Sequence, residues 1–313
     1  MIKKGEHLEG VEPINEKLIN NKEFFEIIKN RFKLDDNIVA YLKKIINGRN
    51  VYDKSGYSGS STIIVNKDIN NTNEFVIKFQ KKGLLKNEFI SYNYFYKHSM
   101  TTKPIKYFCC GEYELMIVEK NNMLTAGYYF DNYQQISIYF GEELRKFHNM
   151  NLIDGNFTIE EKEIFRNKYK NSFKEAINND IGLKYLSMYM DDYDYESMKK
   201  YLIKNKNILF DDIVLVHGDF NPNNIFVGDE KIKMIDFKDS GFVDRHYDIF
   251  WTMFMIIIFS GILTDKKSIV ECEKIFLDSY GRDLVDEKKL DYFKKFCCLY
   301  WKQHDEITRI NIL

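Results

Sequence analysis

Apolar positions recur near a 3.6-residue period over 13–47, at Leu18, Phe24, Phe25, Ile28, Phe32 and Leu42, which predicts a helical leader. From Asn50 the pattern changes. The runs Val51–Lys54, Ser61–Asn66 and Glu74–Phe79 are β-rich, and two loops part them, Gly56-Tyr57-Ser58-Gly59 and Asp68-Ile69-Asn70-Asn71. Leu84–Lys97 reads as a helix, then Ile105–Cys110 and Glu114–Val118 as two strands about a Gly111-Glu112 turn. Beyond Glu119 the pattern is helical over 133–150, 160–178, 183–204, 270–280 and 287–304. Short β-like stretches at 214–216, 224–227 and 231–235 interrupt it. An antiparallel β region followed by a helical one predicts an α+β chain with two lobes around a cleft, 1–119 and 120–313.

The uncharged segment Ile249–Leu263 is the one stretch that resembles a membrane span. At about 15 residues it is shorter than the ~20 needed to cross a bilayer, so a wholly buried helix is expected, with Asp248 as its N-cap.

Composition narrows the picture. Of 313 residues, 44% are hydrophobic and 16% aromatic, with only 3 Pro, which excludes a disordered or fibrous chain. The balance of 46 basic against 47 acidic side chains argues against broad nucleic-acid binding. Five cysteines, two pairs of them adjacent, form neither a disulfide framework nor a CxxC metal motif. Met1–Glu6 is not followed by an apolar core of the kind a signal peptide carries. A soluble cytoplasmic protein is expected, without membrane or nucleic-acid partners, as a monomer or weak dimer.

The candidate chemistry lies in 215–248, LVHGDFNPNNIFVGDEKIKMIDFKDSGFVDRHYD. Asp219 is followed five positions later by Asn224, and Asp236 closes an apolar strand. Phosphoryl transfer needs such a set: one carboxylate to take or orient the acceptor's proton, and a carboxylate with an amide oxygen to hold magnesium on the phosphates. Asp219 fits the base, and Asn224 with Asp236 the metal pair. The plainer alternative is a hairpin turn that favours Asp and Asn for backbone reasons.

Upstream, Gly56, Gly59 and Ser60 sit in a Gly/Ser turn whose N–H groups and hydroxyls could cradle phosphates, or which is simply a hairpin turn. No GxxxxGK[ST] occurs, which disfavours a Walker-type NTPase. Lys78 interrupts the apolar run Phe75–Phe79, and Glu88 in the next helix is its candidate partner. Singly, each has a bland reading as a solvent-facing strand or helix position. Their order, Gly-rich turn, strand Lys, helix Glu, H-x-D-x4-N and strand-end Asp, is that of a kinase active site.

In these residues the chain resembles the aminoglycoside phosphotransferase family, within the kinase-like superfamily that includes choline kinases. His217-Gly218-Asp219-x4-Asn224-Ile225 resembles the family's catalytic loop, with Gly where protein kinases usually have Arg. The run from Ile235-Asp236-Phe237 through Asp239-Ser240-Gly241 to Asp244 and Tyr247-Asp248 resembles its metal-binding segment, and Leu144–His148 its LRxLH-type helix. Lys238 stands where the family commonly has Gly.

The resemblance implies a bilobal protein-kinase-like fold, with a nucleotide-binding lobe over 1–119 and the catalytic loop in 120–313. It implies ATP or GTP as donor, Mg2+, and a hydroxyl of an aminoglycoside antibiotic as acceptor, with resistance as the outcome. Asp219 would be the base, Asn224 and Asp236 the magnesium ligands, and Lys78 the phosphate contact. Leu115–Glu119 would meet the nucleobase through its backbone, with Met116 and Ile235 beside it. A polycationic acceptor needs carboxylates to pair its ammonium groups. Asp239, the cluster at Asp191 and Asp192, and Asp305 with Glu306 are the candidates. Another acceptor (choline, homoserine, a sugar or a macrolide) and a non-catalytic kinase-like binding protein are the alternatives.

Overall fold

The structure is a computed structural model that describes residues 17–19, 21–53, 61–66, 74–83, 85–130, 132–150, 157–178, 195–227 and 232–300. The chain divides into two compact units that meet in sequence between Met123 and Leu124, four residues beyond the expected 119/120 boundary.

The first unit is built on a six-stranded antiparallel sheet in the order β1-β2-β3-β4-β6-β5. Its strands are β1 (Lys17–Ile19), β2 (Val51–Asp53), β3 (Ser61–Val65), β4 (Phe75–Lys81), β5 (Pro104–Cys110) and β6 (Tyr113–Glu119). The expected leader helix is corrected here. Lys17–Ile19 pairs with Val51–Asp53 as an edge strand, a non-local pairing that helical periodicity does not encode. The remainder forms two helices, α1 (Asn21–Phe32) and α2 (Asp36–Ile46). They part at Lys33, whose φ of 49° no helix continues, and Asp35 restarts the chain by accepting the Ile38 N–H at 2.9 Å.

Alternation along the strands sorts the sheet's two faces. Ile63, Ile77, Phe79, Leu115 and Ile117 join Phe24, Ile28, Phe32, Leu42 and Ile46 in one buried cluster, with the Phe32 and Phe79 rings stacked at 4.5 Å. The opposite face carries Thr62, Lys78 and Met116, which are direct cross-strand partners. Helix α3 (Leu85–Lys97) follows β4.

The second unit holds α4 (Tyr133–His148), α5 (Ile159–Asn178), α6 (Tyr195–Lys204), α7 (His246–Phe259), α8 (Lys266–Tyr280) and α9 (Glu287–Tyr300). Two short antiparallel ribbons lie among them: β7 (Ile213–Val216) with β10 (Gly241–Asp244), and β8 (Ile225–Phe226) with β9 (Lys233–Met234). Close packing of α4 on α8 needs Gly141, where a Cβ would sit 2.7 Å from the Phe276 carbonyl oxygen. Helix α7 carries a single acidic residue, Asp248, in its first turn and is otherwise largely apolar and mostly buried, and no described helix is long and apolar enough to cross a membrane. Asp248 does not cap α7, which begins two residues earlier at His246. Strand β10 was not legible either, because its partners in β7 lie 25 to 31 residues upstream.

Candidate active site

In the first unit, Lys78 Nζ donates to Glu88 Oε1 at 2.6 Å. Glu88 is buried and Lys78 retains 14% side-chain exposure, so the pair is largely withdrawn from water and a charge-assisted bond of this kind is strong. Glu114, which the sequence reading assigned only to a strand, anchors the helix that carries Glu88. Its buried carboxylate accepts the Leu85 N–H at 2.8 Å and the Tyr107 hydroxyl at 2.6 Å. An acidic group at the first turn of α3 satisfies an otherwise orphan N–H and favours the positive end of the helix dipole.

Met116 is wholly buried beside Lys78 in the register. The Glu119 backbone N–H is engaged by the Lys103 carbonyl oxygen at 2.9 Å. Gly56, Gly59 and Ser60 lie outside the described residues.

In the second unit the loop from β7 to β8 turns around Asp219. Its Oδ1 accepts Trp251 Nε1 at 3.0 Å and Asn221 Nδ2 at 2.8 Å, and its Oδ2 accepts Asn224 Nδ2 at 2.8 Å. Three donors from three side chains thus fix the carboxylate's plane. Burial pushes the Asp219 carboxyl up from the ordinary 3.8, the nearby Asp236 charge adds to this, and Lys238 opposes it. Asn224 also gives its amide nitrogen to the Asp219 carbonyl, and its backbone oxygen accepts the Ile235 N–H at 3.0 Å. Its side-chain carbonyl oxygen is the atom with which it could meet a cation.

Asp236 stands two residues beyond β9 in a left-handed conformation, φ 63° and ψ 58°, rare for a residue with a Cβ and typical of functional positions. Its carboxylate and the Asn224 amide oxygen are hard donors of the kind magnesium takes and would hold such a cation. Among the described residues no group of three or more His, Cys, Asp or Glu could hold a metal.

The loop is held from below by Asp248. This fully buried carboxylate accepts the His217 N–H at 2.7 Å and the Gly218 N–H at 2.9 Å. Its other contact is His148 Nε2 at 3.4 Å, and His148 Nδ1 meets the Tyr280 hydroxyl at 2.9 Å. His217 is a structural hydrogen-bonder: Nδ1 accepts the Asp219 N–H at 3.2 Å, and Nε2 lies 3.1 Å from the Ile235 carbonyl oxygen.

Burial lowers both imidazoles below the ordinary 6.5, against the raising effect of Asp248. The native chain then takes up fewer protons than the unfolded chain below about pH 6.5, so these groups contribute stability that is lost on acidification. The Asp219 shift has the opposite sign, so a variant must isolate the histidine contribution. Between about pH 7 and about pH 5 the thermal midpoint of His148→Gln should fall less than that of the wild type, measured by scanning calorimetry.

Asp239 is near these groups, ion-paired to Lys168 at 2.8 Å. Asp191, Asp192, Asp305 and Glu306 lie outside the described residues. Trp251, Asn221 and Glu114 are the contributors that the motifs did not place. Asp248 carried a signal, as the acidic residue that closes the segment after Asp236 and that suits a helix cap or a loop anchor.

An α+β fold with a lysine–glutamate pair on a β sheet, and an Asp-x4-Asn loop preceding a strand-end Asp, defines a kinase-like phosphotransferase architecture. The model of the phosphotransferase enzyme family matches residues 136–265, which include the whole catalytic-loop and metal-segment block. A probable aminoglycoside 3'-phosphotransferase of Lactococcus lactis subsp. lactis (strain IL1403) is 25% identical over 244 residues, 77% of this chain and 86% of that protein. An amicoumacin kinase solved with AMP-PNP, Ca2+ and Ami superposes with a TM-score of 0.63 at 16% identity, covering 90% of this chain and 89% of its own. A choline kinase from Streptococcus pneumoniae superposes at 0.56 with 17% identity, covering 88% and 91%. The resemblance read from the motifs, the kinase-like α+β fold and the small-molecule kinase class are borne out by these findings.

Proposed function

We propose that this protein transfers a phosphoryl group from ATP or GTP to a hydroxyl of an aminoglycoside antibiotic, and that this confers resistance. The observation that carries the reading is Asp219: a half-buried carboxylate with a raised proton affinity, fixed by Trp251, Asn221 and Asn224. A base needs that combination of defined direction and proton affinity nearer neutrality. Asp219 takes or orients the acceptor hydroxyl's proton as the new P–O bond forms and the bond to the nucleoside diphosphate breaks. Lys78, held by Glu88, pairs with the nucleotide phosphates. Asn224 and Asp236 would hold Mg2+, which when bound supplies positive charge against the phosphates. Met116, Glu119 and Ile235 are assigned to the nucleobase side, and Asp191, Asp192, Asp305 and Glu306 to a polycationic acceptor.

The same machinery with another acceptor is the second reading. The likeness in fold to an amicoumacin kinase and a choline kinase supports it, because one fold can host different substrates.

A thermal-shift screen with aminoglycosides, choline and macrolides, with and without AMP-PNP, separates the two readings. Ligands that bind the native state raise the midpoint by mass action. Stabilisation by aminoglycosides supports the first reading. Stabilisation by choline or a macrolide alone replaces it with the second.

Lys78→Met should raise the nucleotide KM roughly 10- to 100-fold, the equivalent of about 1.5–3 kcal/mol for a lost charge-assisted contact. Steady-state kinetics at saturating acceptor checks this.

A further inference from the structure

The turn that follows Asp236 is clamped by two consecutive residues of α5. Lys168 Nζ donates to the Lys238 carbonyl oxygen at 2.8 Å and pairs with Asp239 Oδ1 at 2.8 Å. The Tyr169 hydroxyl donates to the Asp239 carbonyl oxygen at 2.8 Å. From the other side, Gly218 lies so close that a Cβ on it would sit 2.1 Å from the same Asp239 oxygen. Ser240 Oγ donates to the His217 carbonyl oxygen at 3.0 Å, tying the turn to the catalytic loop.

These contacts have a common consequence. Asp236 heads the turn with φ 63°, a conformation that persists in a residue with a Cβ only where the surroundings over-determine it. Lys168 and Asp239 retain only 23% and 20% side-chain exposure, so their ion pair is screened less than a surface pair. Tyr169 is itself buried, and Gly241 has no room for a Cβ because the Tyr169 ring would lie 2.8 Å from it. The segment 238–241 is thus fitted against α5 along its whole length.

We propose that Lys168 and Tyr169 are positioning residues that hold the metal-binding turn, and that the Asp239 carboxylate acts through Lys168 on Asp236 instead of on the acceptor. The inference rests on Asp236 being a cation ligand, as proposed above. Groups that orient a ligand without touching the metal commonly change metal affinity 10- to 100-fold when removed.

The test uses the full chain, AMP-PNP and a magnesium titration, with the thermal midpoint as readout. Lys168→Met and Asp239→Asn break the same pair from its two sides. Each should raise the half-saturating magnesium concentration about tenfold, Tyr169→Phe about threefold, and Lys168→Arg should recover wild-type behaviour to within about threefold. A clamp that serves stability alone would lower the midpoint without ligands and leave the magnesium dependence unmoved. The proposal is overturned if Lys168→Met, or Asp239→Asn should the first variant not fold, titrates with magnesium like the wild type. If the wild type shows no magnesium-dependent stabilisation by AMP-PNP, the cation assignment of Asp236 fails and the proposal falls with it.

Discussion

Asp219→Asn should lower phosphoryl transfer by about 10³-fold or more while the protein stays folded and still binds nucleotide. The substitution preserves shape but not donor–acceptor logic. Oδ1 of Asp219 accepts from both Trp251 and Asn221, so the carbonyl oxygen of an asparagine would occupy that position. Its NH2 would then face the Asn224 Nδ2 that now donates to Oδ2. Two donors cannot bond, so Asn224 must turn its own oxygen inward, away from the cation it would hold. One change therefore removes the base and disturbs a magnesium ligand. Turnover kinetics with AMP-PNP binding measured in parallel distinguishes this from unfolding, and transfer at a tenth of wild type or better would contradict it.

The second large effect belongs to Gly218. Its φ is 84°, and an added Cβ would meet the Asp239 carbonyl oxygen at 2.1 Å and its carbon at 2.5 Å. Neither atom belongs to a flexible side chain, so the backbone itself must move. Gly218→Ala should cost roughly 2–5 kcal/mol through a strained φ and overpacking. Activity should fall at least ~100-fold, because a displacement of about 1 Å at a catalytic loop has that effect. The Gly218 N–H bond to Asp248 would be pulled away as well, which spreads the damage to the Asp219 position. Scanning calorimetry and turnover kinetics on the one variant check both parts. This steric fit also accounts for a glycine where protein kinases usually carry arginine.

What the sequence disclosed and what it withheld follow from distance along the chain. Asp219, Asn224 and Asp236 fall within one short stretch, where loop chemistry and strand ends are readable from neighbours. Lys78 and Glu88 are ten residues apart, within a single strand–helix unit. The supporting groups are remote: Trp251 reaches Asp219 across 32 positions, Glu114 reaches Leu85 across 29, and Lys168 reaches Lys238 across 70. No local period encodes such pairs. The same reason explains the leader, where the apolar spacing of 13–47 suits a helix but Lys17–Ile19 finds its partner in Val51–Asp53. Asp248 shows the converse case. An acidic residue ahead of an apolar helix suggests a cap by local rules, yet its carboxylate serves the backbone of His217 and Gly218 about 30 residues upstream.

The central claim is chemical, that Asp219 directs an acceptor hydroxyl onto a nucleotide phosphate held with magnesium. The most direct measurement follows label from γ-labelled ATP in the presence of candidate acceptors, with and without a magnesium chelator. The account predicts label on a hydroxyl of the acceptor, abolished by chelation. Transfer that persists without magnesium, or label that appears only as inorganic phosphate with every acceptor, would contradict it.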